Sequence, residues 1–512
     1  MIPNTLEQAT ENWCRNSFKW SHISPRLLEL DSSYRIFVIL ASSDVSGTTL
    51  DTLSLLLNFL LSCVMVETAF ICDSHIFPYI RVSDSHGFVD VHVVFIPQSL
   101  ACRDGNLARF LDADTTGLKV TSDSEAMRAL IIPSFIREVH SLIQGYKGNA
   151  EVVESLKIIF EWAEGRKILS NGDCGYFTKP MLAYLFVATI ERTGHALSPI
   201  DYLRRFFEGY SNWNFNECSV GSFCCGLGRS QGSMIDEQEG IDSDYDEESR
   251  AKRLVSSNVS ETLLASTDEN DEVQPHKRHR FDLGAIRDLR RFYDVDNTRV
   301  SQVSADGKKT KCCLDNPLDK LDVFRVMHPS EPGINLGLRM LESHRKIIHQ
   351  EFLRAQMLLE DVHDIGSVLP DLLAPKREVL DTTISIVVQV ASEDRNVSLS
   401  VSSVIENQAW YLVQELQAHY GLLVIAAPNP ISHLPSLRPE TKGLKSILSN
   451  VVGLSFPSDS PYSADSGVEI DLTGPLSRLL MRTRQVLRGR PDWDRLEKRF
   501  IISCLVVRDI QS

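Results

Sequence analysis

The segment from Gly87 to Phe95 carries residues whose types and spacing could support chemistry. It reads as a β-strand, in which successive side chains point to opposite faces. One face carries Phe88, Asp90, His92 and Val94, and the other carries Val89, Val91, Val93 and Phe95. A carboxylate and an imidazole are both metal ligands, but a single carboxylate does not make a two-metal site. The alternative interpretation of His92 is a half-buried strand histidine.

Basic residues concentrate near the C-terminus. Arg478 and Arg482 lie one helical turn apart, and Arg484 follows shortly after. This spacing predicts a surface that contacts the phosphates of RNA, with an ordinary solvated helix face as the alternative. The same region lacks the aromatic pattern that stacks RNA bases, which argues against base-specific readout.

The cysteines do not predict a metal site. Cys218, Cys224 and Cys225 could meet Cys312 and Cys313, but no paired C-x-x-C spacing is present. The chain has 11 cysteines, an odd number, and residues 1–20 lack an apolar leader segment. These features favour a reducing intracellular compartment.

Composition describes a chain that buries substantial cores. Of its 512 residues, 43% are hydrophobic and 24% are charged, which excludes fibrous and wholly disordered classes. The net charge of −15 argues against a purely electrostatic nucleic-acid coat protein. The apolar run from Leu53 to Val66 is shorter than the roughly 20 residues of a membrane span. It predicts a buried helix, and we expect no membrane association.

The elements that must position these residues can be placed in order. Tyr34 to Leu40 and Pro78 to Val82 are strand-like, and Ser83 to His86 reads as a hairpin turn into the strand that begins at Gly87. Apolar residues at helical spacing then predict helices in the segments 152–163, 181–188 and 202–210 and from about 338 to 359.

The C-terminal region alternates strands and helices. Strands are predicted at Ile384–Val390, Leu422–Ala427, Ile447–Phe456 and Val468–Thr473, and helices at Val404–His419 and Pro475–Leu487. This order indicates a small α+β unit with an antiparallel sheet.

Residues 226–312 differ in composition from the rest. The stretch from Asp236 to Glu248 contains eight carboxylates, and Lys277 to Arg280 is a basic cluster typical of a nuclear localisation signal. Such a segment buries too little apolar surface to offset its ordering entropy, so it is predicted to be a disordered acidic insert.

Several segments, in order, resemble the nuclear poly(A) polymerase family of the polymerase-β-like nucleotidyltransferase superfamily. They are Ile159–Ala163 with Gly175-Tyr176, Phe206–Trp213, Met327–Asn335 followed by Ser343, Arg345, Glu351 and Phe352, Val451–Leu454, and Val468–Thr473. The resemblance implies an α+β chain of three domains. These are a nucleotidyltransferase domain at 1–148, a helical central domain at 149–377 that contains the insert, and an RRM-like RNA-binding domain at 378–512.

The family's chemistry sets a test for the site. It transfers AMP from ATP to an RNA 3′ hydroxyl, using three carboxylates that hold two divalent metals. Two carboxylates stand as Asp-x-Asp at the start of one strand, and the third lies on a neighbouring strand. In this sequence the three positions fall on Ser33, Arg35 and His92. A fixed cation at Arg35 opposes dication binding, so a weakly active protein or a pseudoenzyme is expected.

A competing alignment remains open. It places the carboxylate pair at Glu29 and Asp31, with Asp90 as the candidate for the third carboxylate. In that alignment the chain is a fully active polynucleotide adenylyltransferase. A third hypothesis is a non-catalytic RNA-binding scaffold.

The resemblance also implies ligands and partners. Nucleotide contacts fall on Ser24, Asn171 and Gly175, and the implied RNA-binding domain contains the C-terminal arginines whose spacing predicts phosphate contacts. The implied cofactors are ATP and Mg²⁺ or Mn²⁺, although metal binding is doubtful here. The implied setting is nuclear, with an RNA 3′ end and the cleavage and polyadenylation machinery as partners of a monomeric protein.

The acidic insert gives the first testable prediction. Family-like segments lie on both sides of residues 226–312, at Trp213 and Pro329, so we expect limited proteolysis to cut first within this insert. N-terminal sequencing of the earliest fragments measures this. First cuts outside 226–312, with that stretch intact, would contradict the prediction.

Overall fold

The structure is a computed structural model with three groups of elements. It describes residues 6–17, 22–31, 34–42, 49–64, 66–72, 77–84, 87–96, 124–170, 175–194, 198–213, 324, 326, 328, 335–337, 339–362, 364–375, 384–420, 423–426, 444–455 and 471–508. The predicted insert at 226–312 lies outside these residues. Within them, no helix has the length and apolar character needed to cross a membrane.

The N-terminal group is a five-stranded mixed sheet with two helices behind it. Its elements are α1 (Leu6–Ser17), β1 (His22–Asp31), β2 (Tyr34–Ser42), α2 (Thr49–Ser62), β3 (Thr68–Cys72), β4 (Tyr79–Asp84) and β5 (Gly87–Ile96). The strand order is β1-β2-β5-β4-β3. Only the β2–β5 pair is parallel; the other neighbours are antiparallel.

The apolar run that begins at Leu53 forms most of α2, as its composition predicts. Leu53, Leu56 and Leu57 are fully buried against one face of the sheet, in one core with Phe37, Ile39 and three valines of β5, Val89, Val91 and Val93. We call this the α2 face. The helix ends at Ser62, so the last residues of the predicted run lie beyond it.

The opposite face of the sheet packs on a helical group. It comprises α3 (Ser124–Gly145), α4 (Ala150–Gly165), α5 (Lys179–Thr193), α6 (Pro199–Ser211), α7 (Glu342–Leu359) and α8 (Ile365–Leu372). Ile36, Val38 and Leu40 of β2 share one apolar core with these helices. We call this the α3 face, because α3 is the helix that packs on it directly.

Aromatic side chains fill the helical core. Trp162 lies 4.7 Å from Phe207 and 5.4 Å from Phe352, measured between ring centroids. Arg166 donates to both oxygens of Glu351, at 2.7 and 3.1 Å, with both side chains buried. Trp162, Phe207, Glu351 and Phe352 belong to segments that resemble the poly(A) polymerase family, and here they hold this core together.

The C-terminal group has the order β-α-β-β-α-β. Its elements are β6 (Ile384–Ser392), α9 (Arg395–Tyr420), β7 (Leu423–Ala426), β8 (Ser446–Ser455), α10 (Thr473–Arg488), a short α11 (Trp493–Leu496) and β9 (Phe500–Arg508). The sheet order is β7-β8-β6-β9, with all neighbours antiparallel. This is the ferredoxin-like arrangement, and it agrees with the predicted α+β unit.

One predicted strand in this group, Val468–Thr473, is wrong at its C-terminal end, and one strand was not foreseen. Thr473 opens α10 rather than closing a strand, and its backbone N–H donates to the Asp471 carboxylate at 2.8 Å. Residues 468–470 of the predicted strand lie outside the described residues. The fourth strand is β9 instead, and it pairs along its whole length with β6.

Helix α9 joins the C-terminal group to both other groups. Near its start, the side-chain oxygen of Asn396 accepts the backbone N–H of Ala69 on β3, at 3.0 Å. Further along, Trp410 donates its indole N–H to the carbonyl of Arg339, at 2.8 Å, and the Arg339 guanidinium lies over the Trp410 ring. An edge strand of the N-terminal sheet is thereby covered by a helix.

The packing of α2 gives a paired mutational prediction. Leu56→Asp should lower the free energy of unfolding by about 4 kcal/mol or more, because it buries an unpaired carboxylate between helix and sheet. Leu55→Asp, on the exposed side of the same helix, should change it by less than about 0.5 kcal/mol. Chemical denaturation of both variants measures the difference. Equal stabilities would contradict the packing of α2.

Candidate functional site

The hairpin of β4 and β5 builds the centre of the candidate site. Asp84 lies opposite Gly87, so the two-residue connection 85–86 sets the register that places Arg81 directly opposite Asp90. Directly opposed residues of an antiparallel pair project from the same face. Arg81, Asp90 and His92 therefore share the α3 face, whereas Val82, Val89 and Val91 face α2.

Arg81 and Asp90 form a two-pronged ion pair. The Nε–Oδ1 distance is 2.7 Å and the Nη2–Oδ2 distance is 2.8 Å. The Asp90 side chain is only 5% exposed and that of Arg81 12%. Burial opposes the charge on Arg81, but the Asp90 carboxylate more than offsets it and holds the pKa of Arg81 well above its usual value. The pair is therefore a charged one inside the protein.

His92 and Tyr79 complete the cluster. Their rings stack with centroids 4.8 Å apart, and the Tyr79 hydroxyl accepts from Arg81 Nη2 at 3.1 Å. Nδ1 of His92 is buried without a hydrogen-bond partner. Burial lowers the pKa of His92 to about 4, against the opposing effect of Asp90, so its imidazole is neutral at physiological pH.

The position of Arg35 corrects the predicted grouping of Ser33, Arg35 and His92. Arg35 belongs to the α2 face, in register with Val89, and its Nη2 donates to Asp84 Oδ1 at 2.8 Å. His92 lies on the α3 face, so the sheet separates the two side chains. Ser33 lies outside the described residues. The grouping is wrong because β2 and β5 are paired in parallel with Arg35 opposite Val89, a register that the sequence does not specify.

The β2 residues that do share the α3 face are apolar. Ile36 is in register with Asp90, and Val38 with His92, and both are fully buried. Among the described side chains of the five strands, Asp90 is thus the only carboxylate on this face. No cluster of three or more potential metal ligands occurs within the described part of the chain.

The competing carboxylates lie on the neighbouring strand β1. The backbone of Glu29 pairs opposite Arg35 and that of Asp31 opposite Tyr34, with a break in register between them. The side chains of Ser24, Glu29 and Asp31 lie outside the described residues, as does the whole of Asn171. Where these side chains point therefore stays a prediction.

Gly175 lies where its own segment packs closely against the residues at the start of α7. Its φ of +89° favours glycine, and an added Cβ would lie 2.5 Å from the Arg339 carbonyl oxygen and 2.8 Å from His344 Cε1. The glycine is thus needed for the close approach of its loop to the start of α7. The assignment of Gly175 to nucleotide binding stays a prediction.

The C-terminal arginines do not form one basic face. Arg478 Nε donates to Glu415 Oε1 at 3.0 Å, and the Arg482 guanidinium lies 5.3 Å from the centre of the Tyr411 ring. Both therefore turn toward α9, where Arg478 is partly neutralised. Arg484 is exposed and projects from a different side of α10. Of the three, Arg484 is the one most available for a phosphate.

The face of the C-terminal sheet opposite its helices mixes polar residues with buried apolar ones such as Val387 and Val451. Gln389 donates to Ser449 Oγ at 3.1 Å, and Ser385 and Ser503 are buried on the same face. The four strands contain one aromatic residue, Phe500, which packs on the helix side near Trp493. This geometry agrees with the absence of a base-stacking pattern.

Sequence reasoning missed Arg81, Tyr79 and Cys72. Cys72 lies opposite Tyr79 on β3, and burial raises the pKa of its thiol to about 12. The signal for Arg81 was only partial: the hairpin predicted at Ser83–His86 brings it close to the strand of Asp90 but pairs it with Phe88, whereas the structure pairs it with Asp90. For Cys72 we find no such signal.

Comparisons with known proteins give only remote similarities. No family model and no curated protein matches the sequence. Among solved structures, Cid1, described with an RNA terminal uridylyl transferase activity, has 10% identity and a TM-score of 0.35 over 73% of this chain and 91% of that one. CdnC of E. coli MS115-1, solved with ATP, has 9% identity and a TM-score of 0.36 over 72% and 86%.

The GLD-2/RNP-8 complex is more distant. It has 10% identity and a TM-score of 0.28, covering 42% of this chain and 70% of that one. At such scores the similarity assigns neither a fold family nor a function to this chain.

Buried histidines predict a loss of stability in acid. His92, His328 and His344 each have a pKa lowered by burial from 6.5 to about 4. The unfolded chain binds these protons near pH 6.5, so each histidine weakens the folded state as the pH falls from there toward 4. The loss reaches up to about 3 kcal/mol per histidine.

The variant His92→Phe tests how much of this acid-induced loss of stability comes from His92. The phenyl ring can keep the stack on Tyr79 and cannot take up a proton, so urea denaturation between pH 7 and 4.5 should show a shallower loss of stability than in the wild type. An unchanged slope would contradict a neutral, buried His92.

Proposed function

We propose that this chain is a non-catalytic relative of the nuclear poly(A) polymerases that acts in mRNA 3′-end processing. The proposal combines a polymerase-β-like nucleotidyltransferase domain, a helical central domain and an RRM-like C-terminal domain. Support comes from the family-like segments that build the helical core and from the strand arrangement around Asp90. The observation that carries it is the Arg81–Asp90 ion pair, which among the described side chains is flanked by Ile36 and Val38 rather than by further carboxylates.

The residues of the α3 face do not fit a two-metal centre. Mg²⁺ and Mn²⁺ prefer several oxygen ligands, and two-metal catalysis needs carboxylates that bridge both ions. Here both oxygens of Asp90 already accept from Arg81, and His92 offers nitrogen. We therefore derive no catalytic step through a metal at this face, and metal-dependent use of ATP is not part of the proposed function.

The proposed role is binding. The partners are an RNA 3′ end and the cleavage and polyadenylation machinery, in the nucleus, with the protein as a monomer. The basic cluster Lys277–Arg280, outside the described residues, supports nuclear import. Contact with RNA would be to phosphates, through exposed residues such as Arg484, because the described strands of the C-terminal sheet place no aromatic side chain on the face opposite their helices.

A second candidate function is an active polynucleotide adenylyltransferase built on β1. The break in register between Glu29 and Asp31 favours it, because irregular pairing of this kind is over-represented beside active sites. In this alternative Glu29 and Asp31 supply the carboxylate pair.

Adenylate transfer by purified protein separates the two functions. With labelled ATP, an oligo(A) primer and Mg²⁺ or Mn²⁺, the wild type should incorporate no AMP above the signal of a reaction without protein. An unrelated active polymerase checks the reagents. Robust extension by the wild type, lost in a Glu29→Ala, Asp31→Ala variant, would overturn the proposal and establish the active alternative.

A further inference from the structure

The Arg81–Asp90 pair has the chemistry of an occupied cation site. Asp90 presents both carboxylate oxygens to one positively charged group, at 2.7 and 2.8 Å, at a buried position. A buried carboxylate without a compensating charge is strongly destabilising. Some cation must therefore stand against Asp90 for the sheet to fold with this residue ionised.

The guanidinium is held in place by its neighbours. The Tyr79 hydroxyl accepts from Arg81 Nη2, and the guanidinium carbon lies 5.5 Å from the centre of the Tyr79 ring. That ring in turn stacks on His92, whose Nδ1 is buried without a partner. The cluster thus contains one carboxylate and one unused nitrogen donor close to a fixed charge.

We propose that Arg81 supplies, from within the chain, the positive charge that a divalent cation would otherwise supply to Asp90. This inference rests on the proposed loss of the two-metal centre and explains how the sheet stays folded without one. Arginine suits the role because it stays protonated and its planar fork matches a carboxylate. The same fixed charge repels a dication, so the wild-type cluster is closed to metal.

A second ion pair on the same sheet provides a matched control. Arg35 and Asp84 form an equally buried pair at 2.8 Å, but on the α2 face and away from His92. Breaking it removes a comparable interaction without uncovering Asp90. If stabilisation by an added cation depends on Asp90, a variant that loses Arg81 and a variant that loses Arg35 must differ in how strongly the cation stabilises them.

The test is the thermal unfolding midpoint of full-length Arg81→Gln, measured in EDTA and in 10 mM Mn²⁺. In EDTA the variant should unfold about 5 to 15 °C below the wild type. Mn²⁺, bound by Asp90 with His92 Nδ1 as a second donor, should restore about 3 °C or more. Wild type, Arg35→Gln and Arg81→Gln/Asp90→Asn should shift by less than about 1 °C under the same change.

Two results would overturn the inference. One is an Arg81→Gln variant that responds to Mn²⁺ no more than the wild type does. The other is an equal response in Arg35→Gln or in the Asp90→Asn double variant, which would show that the cation acts elsewhere.

If Arg81→Gln does not fold in EDTA, refolding decides the question. Recovery with Mn²⁺ or with the added Asp90→Asn change is expected, because either one removes the uncompensated charge. Failure of both would assign Arg81 a packing role on Tyr79 and reject the inference. The AMP-incorporation assay tests the proposed function, whereas the Mn²⁺-dependent shift of the unfolding midpoint tests only the cluster at Asp90. Either prediction can therefore fail while the other is confirmed.

Discussion

The alternation of side chains across the N-terminal sheet is the constraint on which the rest of this site depends. Because β2 and β5 run parallel with Arg35 beside Val89, every second residue of each strand is committed to the same face. Arg35 is committed to the α2 face and Asp90 to the α3 face. Two ion pairs result, Arg35 with Asp84 on the α2 face and Arg81 with Asp90 on the α3 face. Neither arginine can neutralise the carboxylate on the opposite face, because the sheet lies between them.

The residues that resemble the polymerase family mostly serve packing. Trp162, Phe207 and Phe352 form the aromatic core of the helical group, and the Arg166–Glu351 pair ties α7 to the end of α4. A buried aromatic core tolerates few changes of volume, whereas a cluster of catalytic carboxylates contributes little to folding and can be replaced at no cost to the core. Resemblance in the core is therefore compatible with the loss of catalytic carboxylates that the proposed function assumes.

Helix α9 makes the three groups of elements dependent on one another. It caps an N–H of the edge strand β3 through Asn396 and holds the segment before α7 through Trp410 and Arg339. Glu406 of the same helix lies close enough to Cys72 to raise the pKa of that thiol further. The C-terminal group is thus docked on β3, beside the cluster at Asp90.

The sequence by itself determined the local features. Its periodicities placed most of the strands and helices, identified the buried helix after Leu53, and separated the valine face of β5 from the face with Asp90 and His92. These features follow from neighbours a few residues apart, where backbone geometry leaves little choice.

Only the tertiary structure decided which strands share a face at the site. The register of β2 against β5 joins residues more than fifty positions apart, and a shift of one residue would have put Arg35 beside Asp90. The same holds for β9, whose strand character emerges from its pairing with β6. In each case the outcome was set by long-range packing and hydrogen bonds, which local sequence patterns do not encode.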